Sequence, residues 1–190
     1  MKLTGAVLMA HHLLQARLPQ AAVIVDATAG NGKDTLFLAR HANQKASFWI
    51  FDIQEKALMA TKNLLVAKDI MINGKYIHDC HSKLDRYISE PIDIITFNLG
   101  YLPGSDHTIS TQPSTTIKAL EAATALLAPG GIITVVTYPG YQIGYQEHCL
   151  IKEFLPSLPQ QQYTVACWEM VNQIHNPPIL YAIERREGSS

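Results

Sequence analysis

The stretch Val23-Ile24-Val25-Asp26-Ala27-Thr28-Ala29-Gly30-Asn31-Gly32-Lys33-Asp34-Thr35 decides the fold, because an apolar run ends in an acid and then in a glycine-bearing turn that opens a helix. Val23 to Asp26 reads as a buried parallel strand, Ala27 to Gly32 as a tight loop, and Asp34 to Arg40 as the start of the next helix. Small residues at Ala27, Ala29, Gly30 and Gly32 leave room for a ligand against the backbone that any larger side chain would fill. The polar residues of the same stretch, Thr28, Asn31, Asp34 and Thr35, are candidates to bind that ligand.

Gly30, Gly32 and Thr35 match G-x-G-x-x-G only in part, and the loop lacks the run of glycines with which a helix N-terminus holds a pyrophosphate. An acid at Asp26 suits a ligand with a positive end, such as the amino group of S-adenosylmethionine (SAM), and would repel a phosphate lying against it. A second apolar strand, Ser47 to Ile53, ends in Asp52 about 20 residues past the loop, where a doubly wound fold places the acid that binds a ribose hydroxyl pair. Gln54 follows within reach of an adenine edge. A nicotinamide-dependent dehydrogenase would share the loop and Asp52, so these two features alone leave both cofactors open.

With 190 residues, 47% of them hydrophobic, the chain can bury a full core and reads as a single domain over 1–190. The 15 Lys and Arg against 16 acids make a long duplex footprint of many phosphate contacts a poor fit, so an RNA partner would be read locally. Cys80, Cys149 and Cys167 are widely separated and form no C-x-x-C pair, which suits a reducing, cytoplasmic setting. The first residues are interrupted by His11, His12 and Gln15, so they read as an amphipathic helix leading into the first strand rather than as a membrane span or a signal peptide. His11 and His12 themselves read as surface residues of that helix, with lining the entrance of the site as the alternative.

Past the loop, strands and helices alternate without linker, repeat or low-complexity run. Strands are predicted at 22–28, 47–53, 75–79, 92–99, 131–138, 163–170 and 179–186, with helices near 34–42, 54–67, 112–128 and 142–155. The connection between the last two strands is too short for a crossover helix, which predicts an antiparallel hairpin at one edge of an otherwise parallel sheet. The result is an α/β, doubly wound, Rossmann-like sheet with a terminal reversed strand, the arrangement of class I methyltransferases rather than of dehydrogenases.

The fourth strand ends in Asn98-Leu99-Gly100-Tyr101-Leu102-Pro103-Gly104, at the carboxyl end of a central strand, where open α/β sheets keep their sites. The pattern resembles the N-P-P-Y motif of methyltransferases that act on nitrogen, departing from it at both middle positions. That resemblance implies that the Asn98 carbonyl and a neighbouring backbone carbonyl accept hydrogen bonds from a target amine, that Tyr101 packs on the substrate, and that Leu99, Gly100 and Pro103 line it. The gain would be chiefly orientation of the nitrogen lone pair. Asn98 borders the cofactor as well.

VDATAGNGKDTLFLA, IFDIQ, ITFNLGYLPGSDH, LLAPGGIITVVTYPGYQIGYQE and NQIHNPPILYAIER together resemble the small class I methyltransferases of the rRNA methylase family, over nearly the whole chain from about Leu3 to Arg186. The YtqB-like members of that family are associated with tRNA wobble-uridine modification as MnmM. The resemblance implies SAM-dependent methylation of the aminomethyl group of 5-aminomethyl-2-thiouridine, with a tRNA anticodon stem-loop as partner. Splayed anticodon bases would need no flipping from a duplex. The chain departs from the family pattern at Lys33, Ser105 and Tyr141, where His, Gly and His are common. Tyr141, in the substrate region, can stack or hydrogen-bond but is a poor base near neutral pH.

Three alternatives stay open: a methyltransferase for rRNA or a small-molecule amine, the dehydrogenase, and a catalytically silent SAM-fold RNA-binding module. His78-Asp79-Cys80-His81 has the letters of a metal box, but strand alternation points successive side chains to opposite faces, so no metal is expected. Asp79 is better placed to flank the adenine. Pro177-Pro178, beside Asn172, His175 and Asn176, makes a rigid edge loop that is either structural or substrate-facing. No membrane partner is expected, and a homodimer is compatible with the sequence.

Overall fold

A computed structural model describes residues 3–100 and 110–188. Helix α1 (Ala6–Gln15) precedes strand β1 (Val23–Asp26), α2 (Lys33–His41), β2 (Ser47–Asp52), α3 (Glu55–Val66) and β3 (Asn73–His78). A one-turn helix α4 (Leu84–Tyr87), β4 (Ile92–Asn98), α5 (Pro113–Leu126), β5 (Leu127–Thr137) and α6 (Gln142–Phe154) follow, and β6 (Tyr163–Trp168) and β7 (Ile179–Arg185) close the chain. The seven strands form one sheet in the order β3-β2-β1-β4-β5-β7-β6. The first five are parallel, and β7 runs antiparallel between β5 and β6. The α/β class, the parallel sheet and the reversed edge pair predicted above are all present. Strand β5 begins at Leu127, four residues before the predicted 131, because Leu127 pairs with Ile92 ahead of an irregularity in register, after which Ile132 pairs with Ile94.

The core explains why the central strands are apolar at almost every position. Alternate side chains of β1, β2 and β4 enter two separate layers. Val25, Phe51, Ile95 and Phe97 pack with Ala119, Leu120 and Ala123 of α5 and Ile151 of α6. Ile24, Phe48, Ile50 and Ile94 pack on the other side with Leu14 of α1, Leu38 of α2 and Leu58 of α3. Truncating a fully buried residue such as Ile95 to Ala would cost about 2–5 kcal/mol, since neither layer can collapse around the gap. By contrast, most side chains of edge strand β6 are exposed.

The direction of winding reverses between β1 and β4. Chain β1-β2-β3 builds one half of the sheet and β4-β5 the other, so the connections leave a crevice beyond the carboxyl ends of β1 and β4. Asp26, Asp52, His78 and Asn98 each terminate a strand on that edge.

Candidate functional site

The crevice holds a cavity of about 640 Å³, within the range of small-molecule sites. Its walls come from the β1–α2 loop, the ends of β2 and β3, the start of the β4–α5 connection, and the loop after β5.

The β1–α2 loop is held open by its backbone. Gly30 and Gly32 adopt φ of 53° and 76°, a region that favours glycine. The Ala29 N–H donates to Phe51 O and the Gly30 N–H to Asp52 Oδ2, each at 2.9 Å, which seats the loop on the end of β2. Asp52 Oδ1 accepts the Gln54 N–H at 2.8 Å. Burial pushes the Asp52 carboxyl above its usual range, against the pull of those two N–H groups. Thr28, Gly30, Asn31, Asp34, Asp52, Gln54 and Asp79 all line the cavity, as the sequence suggested.

Three predicted cofactor residues do not line it. Asp26, expected to face a ligand, is 1% exposed and lies under the loop, where Oδ2 accepts from Thr35 Oγ1 at 2.5 Å and Oδ1 from the Thr28 N–H at 3.1 Å. Burial, then the charge of Asp34, raises its carboxyl to about 7 despite those hydrogen bonds. Thr35 is the buried partner in that pair. Gly32 faces α3 instead, and a Cβ there would stand 2.8 Å from Thr61 Cα. These residues shape the loop from behind.

At the far end of the β2–β3 side, Asp79 accepts from Lys83 Nζ at 2.7 Å, from the Cys80 N–H at 2.7 Å and from the Tyr87 hydroxyl at 2.8 Å. The Lys83 ammonium, followed by the other two donors, holds its carboxyl down to about 2. His78 turns to the Ile53 carbonyl at 3.0 Å. His81 is buried against Phe97, and burial pushes it down to about 4 although its ring donates to the Ala27 carbonyl. The four residues thus diverge, and among the described residues no cluster of His, Cys, Asp and Glu could hold a metal.

Two buried polar atoms in the cavity wall have no hydrogen-bond partner among the described residues, Gln54 Oε1 and His81 Nε2. Buried acceptors without partners are costly, so a ligand that donates hydrogen bonds here would be rewarded. An adenosyl group carries such donors in its amino group and ribose hydroxyls, and the carboxylates of Asp52 and Asp79, at the ends of β2 and β3, line the same cavity. The residues fit SAM.

Asn98 sits at the centre of a chain of hydrogen bonds. Its backbone N–H donates to Thr28 Oγ1 at 2.8 Å, and its Nδ2 to Asp34 Oδ2 at 2.9 Å. Tyr138 donates its hydroxyl to Asn98 Oδ1 at 2.7 Å. Asp34 Oδ1 meets His11 Nε2 at 2.8 Å, and the His11 ring stacks on Phe37 with centroids 3.8 Å apart. Burial would raise the Asp34 carboxyl, but hydrogen bonds from His11 and Asn98 outweigh it and hold the group below its usual range. The surface reading of His11 is therefore corrected: α1 folds back so that His11 supports Asp34 from outside the cavity.

Leu99 and Gly100 line the cavity, while Tyr101, Pro103 and Ser105 lie outside the described residues. The chain on either side of them is tied together: the Gly100 N–H donates to Thr111 Oγ1 and the Thr111 N–H to Gly100 O, both at 2.9 Å. Thr111 Oγ1 donates in turn to Glu147 Oε2 at 2.9 Å, and Thr116 Oγ1 to Glu147 Oε1 at 2.5 Å. Burial raises the Glu147 carboxyl above its usual range, against those two hydroxyls. Tyr141 and Asn176 complete the rim, and the Tyr141 hydroxyl stands 3.4 Å from where a Cβ on Gly100 would lie.

Sequence reasoning missed Tyr138, Glu147 and Thr111. Tyr138 had a signal available: parallel register pairs Asn98 with Val136, so a residue just past the end of β5 must stand beside the end of β4. Glu147 had none, since only tertiary packing brings α6 under residues 111 and 116.

Residues 48–184 match the rRNA methylase family. The chain is 32% identical over 187 residues to the chloroplastic tRNA (mnm(5)s(2)U34)-methyltransferase of Arabidopsis thaliana, covering 93% of this chain and 68% of that one. Among solved structures it is similar to one described as an rRNA-methylase from Clostridium thermocellum, at 39% identity and a TM-score of 0.94, over 97% of this chain and all of that one. A methyltransferase from Streptococcus mutans in complex with SAH is 35% identical, with a TM-score of 0.87, over 97% of this chain and 99% of that one.

Proposed function

We infer from one premise, that this chain belongs to the rRNA methylase family of methyltransferases, that it is a SAM-dependent N-methyltransferase acting on the aminomethyl group of 5-aminomethyl-2-thiouridine at the tRNA wobble position. The tRNA anticodon stem-loop is its partner in this reading. The observation that carries it is the side chain of Asn98, a neutral acceptor at the carboxyl end of β4 held in one orientation by Asp34 and Tyr138.

Bound in the cavity, SAM supplies a methyl group on a positively charged sulfur. Asp52 would hold the ribose hydroxyls, Gln54 and Asp79 the adenine, and the backbone of Ala29 to Asn31 with Asp34 the amino acid portion, since all of them line the same cavity. Thr28 fixes the Asn98 backbone, Asp34 the Asn98 amide. Asn98 Oδ1 accepts a hydrogen bond from the amine without adding the negative charge by which a carboxylate would hold it as an ammonium, and aims its lone pair at the methyl. Leu99, Gly100 and Tyr141 wall the substrate side.

The test is direct. Bulk tRNA from a strain lacking this gene, incubated with the protein and labelled SAM and then digested, should carry the label in the methylaminomethyl-2-thiouridine nucleoside when resolved by mass. Label in another nucleoside would overturn the substrate assignment.

A further inference from the structure

A hydroxyl has one hydrogen to give, and Tyr138 gives it to Asn98. The bond from Tyr138 to Asn98 Oδ1 is 2.7 Å, and its direction is fixed from the other end of the amide, where Nδ2 donates to the acceptor-only carboxylate of Asp34 at 2.9 Å. Flipping Asn98 would set two oxygens against each other at Asp34. The Tyr138 oxygen is thus left with lone pairs alone for anything else in the cavity that both residues line. Burial, then the charge of Asp34, raises the Tyr138 hydroxyl above its usual range, so it stays protonated as a neutral acceptor.

We propose that Tyr138 is a substrate-binding residue which, together with Asn98, forms a two-acceptor seat for a primary amine and limits the enzyme to one methyl per amine. The proposal rests on the amine reading of the site given above. A neutral primary amine has two N–H bonds and one lone pair. With one N–H given to Asn98 Oδ1 and the other to Tyr138 Oη, the lone pair is the remaining vertex and faces the methyl donor.

The substrate ammonium first gives one proton to solvent. The nitrogen lone pair then forms the N–CH3 bond while the S–CH3 bond breaks, with its electron pair remaining on sulfur. The product leaves as a secondary ammonium. If that product returned and lost a proton, it would have one N–H for two acceptors, and its new methyl would press against an oxygen in a partly buried site. A second transfer is disfavoured both by the contact and by the acceptor left unpaired.

Tyr138→Phe removes the second oxygen and makes room for a methyl. The test incubates tRNA from the strain lacking this gene with excess SAM and either the wild-type protein or Tyr138→Phe, and reads the dimethyl to monomethyl ratio of the wobble nucleoside by mass. The ratio should rise about tenfold or more in the variant, the scale of one buried hydrogen bond. Residual transfer by Tyr138→Phe that stops at one methyl would overturn the proposal, because a residue that only oriented Asn98 would change the rate and not the number of methyls. Tyr138→Leu is the second variant. Loss of all transfer in both, with SAM binding retained by calorimetry, would also overturn it and leave Tyr138 a positioning residue. Failure of the wild-type protein to methylate the aminomethyl group at all is a different result, and it removes the amine reading itself.

Discussion

Thr35 Oγ1 donates to Asp26 Oδ2 at 2.5 Å, and this buried pair holds the cofactor loop from beneath instead of meeting the ligand. Asp26 carries a carboxyl raised from 3.8 to about 7, chiefly by burial. Between those values the folded chain binds more protons at this site than the unfolded chain, so stability falls as pH rises through the window and levels off above it. At ~1.4 kcal/mol per unit the effect amounts to a few kcal/mol. Asp26→Asn cannot ionise and should lack this slope. Melting temperatures from pH 4 to pH 8 check it: the wild-type protein should lose stability relative to the variant up to about pH 7, and parallel curves would refute the burial argument.

Asp52 differs from Asp26 in that it lines the cavity while also holding the Gly30 and Gln54 N–H groups. Its loss should therefore act on binding. Asp52→Ala should weaken SAM by about 10- to 100-fold, the scale of charge-assisted hydrogen bonds to the ribose. Isothermal calorimetry measures it, and wild-type affinity in the variant would remove Asp52 from the cofactor site.

Gly32 tests the loop from the other side. Its φ of 76° disfavours any side chain, and a Cβ would stand 2.8 Å from the backbone of Thr61. Gly32→Ala should cost about 1–3 kcal/mol of stability from strain at this conformation, more if α3 must shift. Denaturant unfolding reads the change, and SAM affinity should fall with it because the same loop seats the cofactor. A variant as stable as the wild type would mean that the loop relaxes freely.

Much of this site was legible in the sequence because each strand carries its own end. Asp52 and Asn98 each stop an apolar run, Gln54 follows Asp52, and Asp79 is placed by where the third strand of such a fold ends; all four line the cavity. Strand alternation could also have corrected Asp26, which shares the face of Ile24 two residues earlier and so falls under α2 where Thr35 waits. The partners of Asn98 were a different matter. Tyr138 depends on the register between β4 and β5, and His11 on where α1 packs after leaving the sheet. Neither relation is local, and a lone His on an amphipathic helix has the same letters whether it faces water or a carboxylate.

In the proposed reaction Asn98 bears the chemistry, and its variant separates chemistry from binding. Asn98→Ala removes the acceptor facing the amine and leaves Asp52, Gln54 and Asp79 in place, so turnover should fall by a factor on the order of 100 or more while SAM affinity changes little. The pH profile gives an independent reading. Asp34 is held below its usual range and stays ionised, Tyr138 is pushed up and stays protonated, and Asn98 does not titrate. The rate should then rise with the fraction of neutral amine and follow the pKa of the substrate. Single-turnover rates from pH 6 to pH 10, with saturating SAM, measure both effects. Near-normal turnover in Asn98→Ala would show that the acceptor lies elsewhere. A wild-type rate governed by a group of the enzyme and not by the substrate amine would instead show that a proton path runs through the protein.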